Sequence, residues 1–339
     1  MPERSTVAQG VQIGVEATAG TAVPANRRLQ SLGISIRPDM EFDEFEPSGN
    51  KFATLVLLDK EWTAADLEGR LTYTEIVYVL SSLMGTATIT TPDTATNARQ
   101  WEFTISATSA DTPKTLTVES GDGSLAERVA GLLINALTLG ISRDSGVSLS
   151  GEGFGRLFTA GATLTASPTS IALVPAMPKD FSVYVDAPPA APYDDADVED
   201  TLGTTKLTRV SAVEVELGDR YSQFWAVDSA QTSFATTVEG RPATTLTLTV
   251  MADSVGMGFL ATAREGATRF VRIEGISNVE VEAGIPYSIT IDMAVKINDV
   301  GDRDDSDNAQ VIPYGMRFVY DPDWDASVRV RVVNGLTAL

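Results

Sequence analysis

Short runs in which every second residue is apolar recur along most of the chain. Leu32, Ile34 and Ile36 form one, and Val213, Val215 and Leu217 another. Val279 with Val281, and Val328 with Val330 and Val332, form two more. Period two puts one residue set on one face of a strand, so each run predicts a strand with one buried face. Three segments carry helical signals instead. Thr72 and Glu75 have capping-box spacing, followed by Ile76, Val79, Leu80 and Leu83 on one stripe and Gly85 as a stop. Ser124 and Glu127 repeat the device before Val129, Leu132 and Leu133. Asp253 is placed to cap a third helix, with Val255, Phe259 and Leu260 inward and Gly266 ending it. The fold class that follows is mainly β with a few short flanking helices.

The pattern also repeats. Ile34 and Ile36 match Val213 and Val215 at a shift of 179; Phe52-Ala53-Thr54 matches Phe234-Ala235-Thr236 at 182; Gly85 and Gly266 differ by 181. Asn135 to Leu139 then matches Asn278 to Glu282 at 143, so the first copy carries about 38 extra residues. A steady shift over ordered landmarks points to a duplicated β unit. The expected organisation is an N-terminal arm (1–30), a first β domain (31–185) with an insertion at about 88–125, an acidic Pro/Ala linker (186–204) and a second β domain (205–339).

Charge and missing residue types narrow the function. With 25 Lys+Arg against 46 Asp+Glu the net charge is −21, which disfavours gripping nucleic acid or an anionic membrane. The chain has no cysteine and no histidine. Thiolate sites, Ser-His-Asp triads, HExxH zinc sites and 2-His-1-carboxylate iron sites are therefore excluded. No cofactor site and no enzymatic activity are expected. The opening MPERSTVAQG has no apolar run of the signal-peptide kind, and the longest apolar stretch, Val129 to Ile141, is too short to span a bilayer. A soluble protein made in the cytoplasm is expected.

Each remaining motif has an ordinary reading. Gly151-Glu152-Gly153-Phe154-Gly155 lacks the GxGxxG spacing and opens no helix, so it reads as turn glycines. Asp302, Asp304, Asp305 and Asp307 lack the glycine and distal Glu of a calcium loop and read as a solvated turn. Asp321-Pro322-Asp323-Trp324-Asp325 reads as a turn, its enzymatic alternative being sugar stacking on Trp324 beside paired acids. Glu214, Glu216, Glu280, Glu282 and Asp292 fall on the polar positions of strands. They form either an ordinary solvent face or an acidic wall with both Glu rows on neighbouring strands. Arg329 and Arg331 share one face of the last strand, which either meets a neighbour's acidic surface or protects an edge.

At this point a family resemblance enters. Gly14, Glu16, Gly20, Thr21 and Ala25 give the GxExxxGTxxxA-like opening seen in major tail tube proteins of long-tailed bacteriophages. Glu68 to Ile76 resembles that family's strand-to-helix step. Asn135 to Leu139 and Gly151 to Gly155 resemble strands of its second long hairpin. The resemblance implies tandem β-sandwich domains whose long strands join neighbouring subunits in an inner β-barrel. Rings stack into a hollow tube through which DNA passes. Two fused domains imply a homotrimer with pseudo-sixfold symmetry, whereas a single tube domain per chain implies a hexamer. Six domains of four strands make about two dozen strands and a barrel of roughly 45–50 Å, wide enough for duplex DNA.

The implied partners are the chain itself, a tape-measure protein and tail terminator or tip proteins, with DNA passing but not held. The implied location is the virion tail, after assembly in the host cytoplasm. An acidic lumen suits that traffic, because it offers phosphates no cations. The lumen candidates are Glu214, Glu216, Glu280, Glu282 and Asp292, and replacing Glu280 and Glu282 by Lys is expected to leave folding intact. Inter-subunit candidates are Arg329, Arg331, Phe42 and Phe45. The N-terminal arm and residues 38–52 are candidates for ordering on assembly. The competing readings are another phage structural or cell-surface β-sandwich protein and, less favoured, a carboxylate-based polysaccharide hydrolase.

Overall fold

In a computed structural model, residues 9–92, 95–122, 125–228, 231–306 and 308–339 are described. Strands make up 54% and helices 9%, with three α-helices, so the mainly β expectation holds. Ser124, Asp307 and the first eight residues of the N-terminal arm lie outside the described residues.

The backbone of the fold is one run of antiparallel strands. Leu32–Phe45 pairs with Leu55–Arg70 in a long hairpin, and Leu55–Arg70 pairs with Gly146–Gly155. Gly146–Gly155 pairs with Ala126–Ser142. Ala126–Ser142 then pairs with Val210–Gly218, from Ala212↔Ser142 to Leu217↔Leu137. The sheet continues through Ala243–Met251 and Ala309–Phe318 to Ile285–Val300. Arg269–Glu282 and Val328–Asn334 flank that last strand on its two sides. One parallel pairing, Thr169–Ser170 with Arg27–Arg28, makes the sheet mixed.

Apart from Thr88–Thr90, Arg99–Thr104 and Leu116–Gly121 inserted in the first half and Tyr221–Phe224 and Thr236–Glu239 inserted in the second, the order strand, strand, helix, strand, strand runs over 32–155 and again over 210–300. The copies differ in their pairing as well. Leu55–Arg70 lies directly against Gly146–Gly155, whereas Ala309–Phe318 separates Ala243–Met251 from Ile285–Val300. The two halves share one sheet and one hydrophobic core, which includes Leu67, Leu139, Val215, Leu248, Ile291 and Val330.

The helices follow their capping signals unevenly. Helix α1 (Ile76–Leu83) is buried all round rather than on a stripe. Thr72 Oγ1 accepts the Glu75 amide at 3.2 Å, but the Glu75 carboxylate turns away and accepts the amides of Gln30, Ser31 and Leu32. No helix forms at 126–142. Leu132, Leu133 and Ile134 are consecutive and all buried. This strand leaves one sheet layer for another here, pairing first with Leu116–Gly121 and Phe158–Ala162 and then with Gly146–Gly155. Both faces are therefore covered, which breaks period two.

Gly151, Gly153 and Gly155 belong to that contact and are not turn residues. A Cβ on Gly151 or Gly153 would lie 2.5 or 2.6 Å from the carbonyl oxygen of Ala136 or Leu133. Glycine here permits close strand approach.

Residues 186–204 are not a free linker. Helix α2 (Asp195–Thr201) begins at Asp194, whose carboxylate accepts the amides of Ala196 and Asp197. It buries Val198 in a second cluster with Leu202, Phe270, Ala294, Trp324 and Ala326. Helix α3 (Ser254–Glu265) is capped by Asp253 and ends at Gly266 in the left-handed region, φ 63°. Its inward residues are Gly256, Phe259 and Thr262; Val255 is exposed.

The Gly14/Glu16/Gly20 stretch has a concrete role. Glu16 is buried and accepts the amides of Gly20 (2.7 Å) and Gly131 (2.8 Å) and the hydroxyls of Thr115 and Thr117 (both 2.7 Å). Gly20 (φ 74°) and Gly131 (φ 68°) both adopt the left-handed backbone that only glycine takes cheaply. The opening segment is thereby tied to the crossing strand 126–142.

Candidate functional site

Two surface features stand out from this frame. The first is the polar face of the shared sheet where the two halves meet. In register order, Asp66, Glu152, Ala136 and Gly218 form one row, and Glu68, Ser150, Thr138, Glu216 and Thr245 the next. Glu214 follows, opposite Gly140 and Thr247. Asp66, Glu68, Glu152, Ser150, Thr138 and Glu216 line a shallow depression of about 870 Å³ together with Arg70 and Asp219; Glu214 lies outside it.

Apart from Arg70, which donates to the Ser145 carbonyl at 2.8 Å, its polar side chains are short or acidic. Glu216 accepts the Thr245 hydroxyl at 3.0 Å, and Arg37 pairs with Asp66. Asp66 and Glu152 sit directly opposite each other. Such like-charge pairing costs stability, and an exposed site limits that cost by screening.

Glu214 and Glu216 are thus exposed, as a polar strand face requires. Their neighbours are 126–142 and 243–251, not the strand bearing Glu280 and Glu282, so the expected double Glu row does not form. The acids completing the face are Asp66, Glu68 and Glu152. Period two on 55–70 already exposes the first two; the third was hidden by reading its glycines as a turn.

The other three acids take different roles. Glu280 is exposed and accepts the Gly284 amide at 3.1 Å at the end of a hairpin. Register shifts twice between Ile276 and Glu282, so this hairpin end leaves the packed layer. Val279 is exposed and Val281 only partly covered, where a buried face had been expected.

Glu282 is a clamp. Its carboxylate accepts the amides of Ala98, Thr96 and Asn97 and the Thr96 hydroxyl. Those bonds, led by the Ala98 amide, hold its pKa down at about 2. Replacing it by Lys would release the 96–98 loop, against the sequence expectation of an unperturbed fold.

Asp292 cannot face a lumen, because it is fully buried. It takes Arg272 through both carboxylate oxygens, at 2.6 and 3.0 Å, and also pairs with Arg331. Burial alone would push the Arg272 guanidinium down, but Asp292 and Glu199 override it and hold it above its ordinary value. Arg329 meets Glu199 at 2.8 Å and Asp195 at 2.9 Å; Arg331 meets Glu199 at 2.9 Å.

Both arginines are therefore committed within the chain, to α2. Their strand is no edge either, lying between Ile285–Val300 and Arg99–Thr104. Trp324 is buried against Phe270, ring centroids 5.6 Å apart, so it offers no sugar platform.

The second feature is the long hairpin itself. Strand 55–70 meets Gly146–Gly155 only from Thr63 onward. Among the described residues, 39–45 and 55–62 pair in the sheet with each other alone, a projection of roughly 25 Å. It is apolar on both faces. Phe52 is 80% exposed, Phe42 51% and Leu58 50%, with Phe45, Leu55, Val56 and Leu57 about as open.

An exposed patch of this kind marks an interaction surface. Five acids, Asp39, Glu41, Asp43, Glu44 and Glu46, share the outgoing arm. The base is braced by residues 221–239. Trp225 packs edge-on to Trp62 (6.0 Å) and Phe234 (6.1 Å), and Ser233 Oγ donates to the Glu61 carbonyl at 2.8 Å. Sequence reasoning flagged Phe42 and Phe45 but missed this brace, which joins residues more than 160 positions apart.

Comparison with known proteins found no family model that matches the chain and no curated protein that matches it. Among the described residues, no helix is long and apolar enough to cross a membrane.

Proposed function

We propose that this chain is a self-assembling structural subunit of the phage tail tube type, acting by geometry and not by catalysis. The observation that carries the reading is the joining of two strand–strand–helix–strand–strand units edge to edge through Ala126–Ser142 and Val210–Gly218. A chain that already joins two such units laterally has a local rule for adding further units. Leu32–Phe45 supports this, since among the described residues this long strand has a strand partner on one side only. Three chains closing such a sheet would form a six-unit ring, and closure removes the free edges.

In this reading the acidic face of Asp66, Glu68, Glu152, Glu214 and Glu216 turns toward the lumen. Its two cations are engaged, Arg37 by Asp66 and Arg70 by the Ser145 carbonyl, and the carboxylates and short hydroxyls around them repel or ignore DNA phosphates, so the duplex slides. A tape-measure protein and terminator or tip proteins are the corresponding partners, and the virion tail the corresponding location.

Electron microscopy of concentrated protein tests the proposal. Hollow rings or tubes with threefold symmetry and six similar lobes are the expected result. Sixfold rings of single chains would keep the tube and reject the fused-unit account. Compact monomers at every concentration and salt would overturn the proposal.

A further inference from the structure

At the end of the shared sheet opposite the hairpin tip lies a groove of about 340 Å³. Register fixes the polarity. The tip lies beyond the Thr63↔Gly155 end, whereas the groove adjoins the Ser142↔Ala212 end. The charged residues lining it are Arg143, Lys179 and Lys206, with no carboxylate among them, although the chain carries −21 overall. Between the cations lie Ile141, Phe181, Leu207 and Val210. The nearby Asp180 carboxylate turns to the Met177 amide at 3.2 Å.

We infer that this groove receives the acidic, apolar hairpin tip (residues 39–58) of a second copy of the chain. The inference rests on the self-assembly reading above and names the receiving surface. Two arguments choose the occupant. The groove offers cations around apolar side chains, and the tip offers Asp39, Glu41, Asp43, Glu44 and Glu46 around Phe42, Phe45 and Leu55 to Leu58. Tip and groove also sit at opposite ends of one sheet, so the contact is head to tail. A heterologous contact of this kind leaves a free tip and a free groove after each addition, which propagates along an axis. Charge steers the encounter and apolar burial holds it.

The absence of cysteine makes the test clean. Asn50→Cys marks the tip and Thr208→Cys marks the groove. The two single variants are mixed at assembling concentration and treated with a short bis-maleimide. Tip-to-groove dimers are expected to exceed tip-to-tip and groove-to-groove dimers at least tenfold. Reversing the groove (Arg143→Glu, Lys179→Glu, Lys206→Glu) should remove them. Reversing the tip as well (Asp43→Lys, Glu44→Lys, Glu46→Lys) should restore them.

All six positions are exposed, and unchanged circular dichroism checks folding. The tip reversal alone, which should also abolish the dimers, serves if the groove variant fails to fold. Microscopy of the same samples separates the two ideas. Rings or tubes without tip-to-groove dimers overturn the groove assignment and leave the tube reading intact. Tip-to-groove dimers in solid filaments support the groove and overturn the tube. Absence of both overturns both.

Discussion

At Glu282 one carboxylate gathers three consecutive backbone amides and a hydroxyl, and this sets a testable acid response. Its folded pKa of about 2 lies below its ordinary value of 4.5. Between those values the unfolded chain binds the proton and the folded chain does not, so stability rises with pH. The contribution is complete above about pH 4.5 and is lost as pH falls toward 2. Asp253, lowered by the Gly256 and Val255 amides at the start of α3, acts in the same direction. Glu282→Gln should start with a lower denaturant midpoint at pH 6 and then fall less steeply between pH 4.5 and 2. Identical pH profiles for the two proteins would remove the clamp. Glu16 shows what was legible at this scale. Its spacing to Gly14 and Gly20 stands out in the sequence, but the reason lies at Thr115, Thr117 and Gly131, about a hundred residues away. A carboxylate bound by distant amides leaves no local pattern, so these acids read as solvated or as lumen charge.

Elements with one covered face were legible, as at Leu32–Phe45, Val210–Gly218 and Val328–Asn334. Elements covered on both faces were not. Leu132 to Ile134 lose period two because layers pack on either side, and a chance capping spacing then reads as a helix. Helix α2 was missed for another reason: seven residues with one fully buried side chain carry too little periodicity, and its acids are held by arginines from other strands. Helix α3 makes a sharper statement, since its two interior glycines differ. A Cβ on Gly256 would meet the Met251 carbonyl oxygen at 2.1 Å, and one on Gly258 would meet nothing within 4 Å. Gly258→Ala should stabilise the protein by about 0.5–1 kcal/mol through helix propensity. Gly256→Ala should destabilise it by about 2 kcal/mol or more through forced backbone displacement. Chemical denaturation of both variants checks the pair. Equal effects would mean that α3 does not pack through Gly256.

At the scale of the molecule, the duplicated pattern predicts two domains, whereas the pairings tie the halves together. Ala126–Ser142 contributes a sheet neighbour to Val210–Gly218, and Arg99–Thr104 to Val328–Asn334. Asn334 is buried and donates to the Tyr73 carbonyl at 2.9 Å while accepting the Trp101 indole N–H at 3.1 Å. Separating the halves would therefore expose two strand edges, part of a common core and several buried polar groups at once. Each edge would invite aggregation, and each orphaned buried group would cost about 1–3 kcal/mol. Cooperativity should consequently extend across the connection at 187–193, which carries few of these contacts itself. A protease site inserted there and cleaved should leave the two pieces co-eluting, with one unfolding transition by heat or denaturant. Two transitions, or pieces that separate and stay folded, would show that each half closes its own core. The expected single transition has a consequence for assembly. If the chain assembles as proposed, a subunit whose lateral joint is already part of its core would enter a ring as a rigid pair of units. In the proposed tube, the ring would close through the edge strand Leu32–Phe45, and the hairpin tip would remain for the next layer.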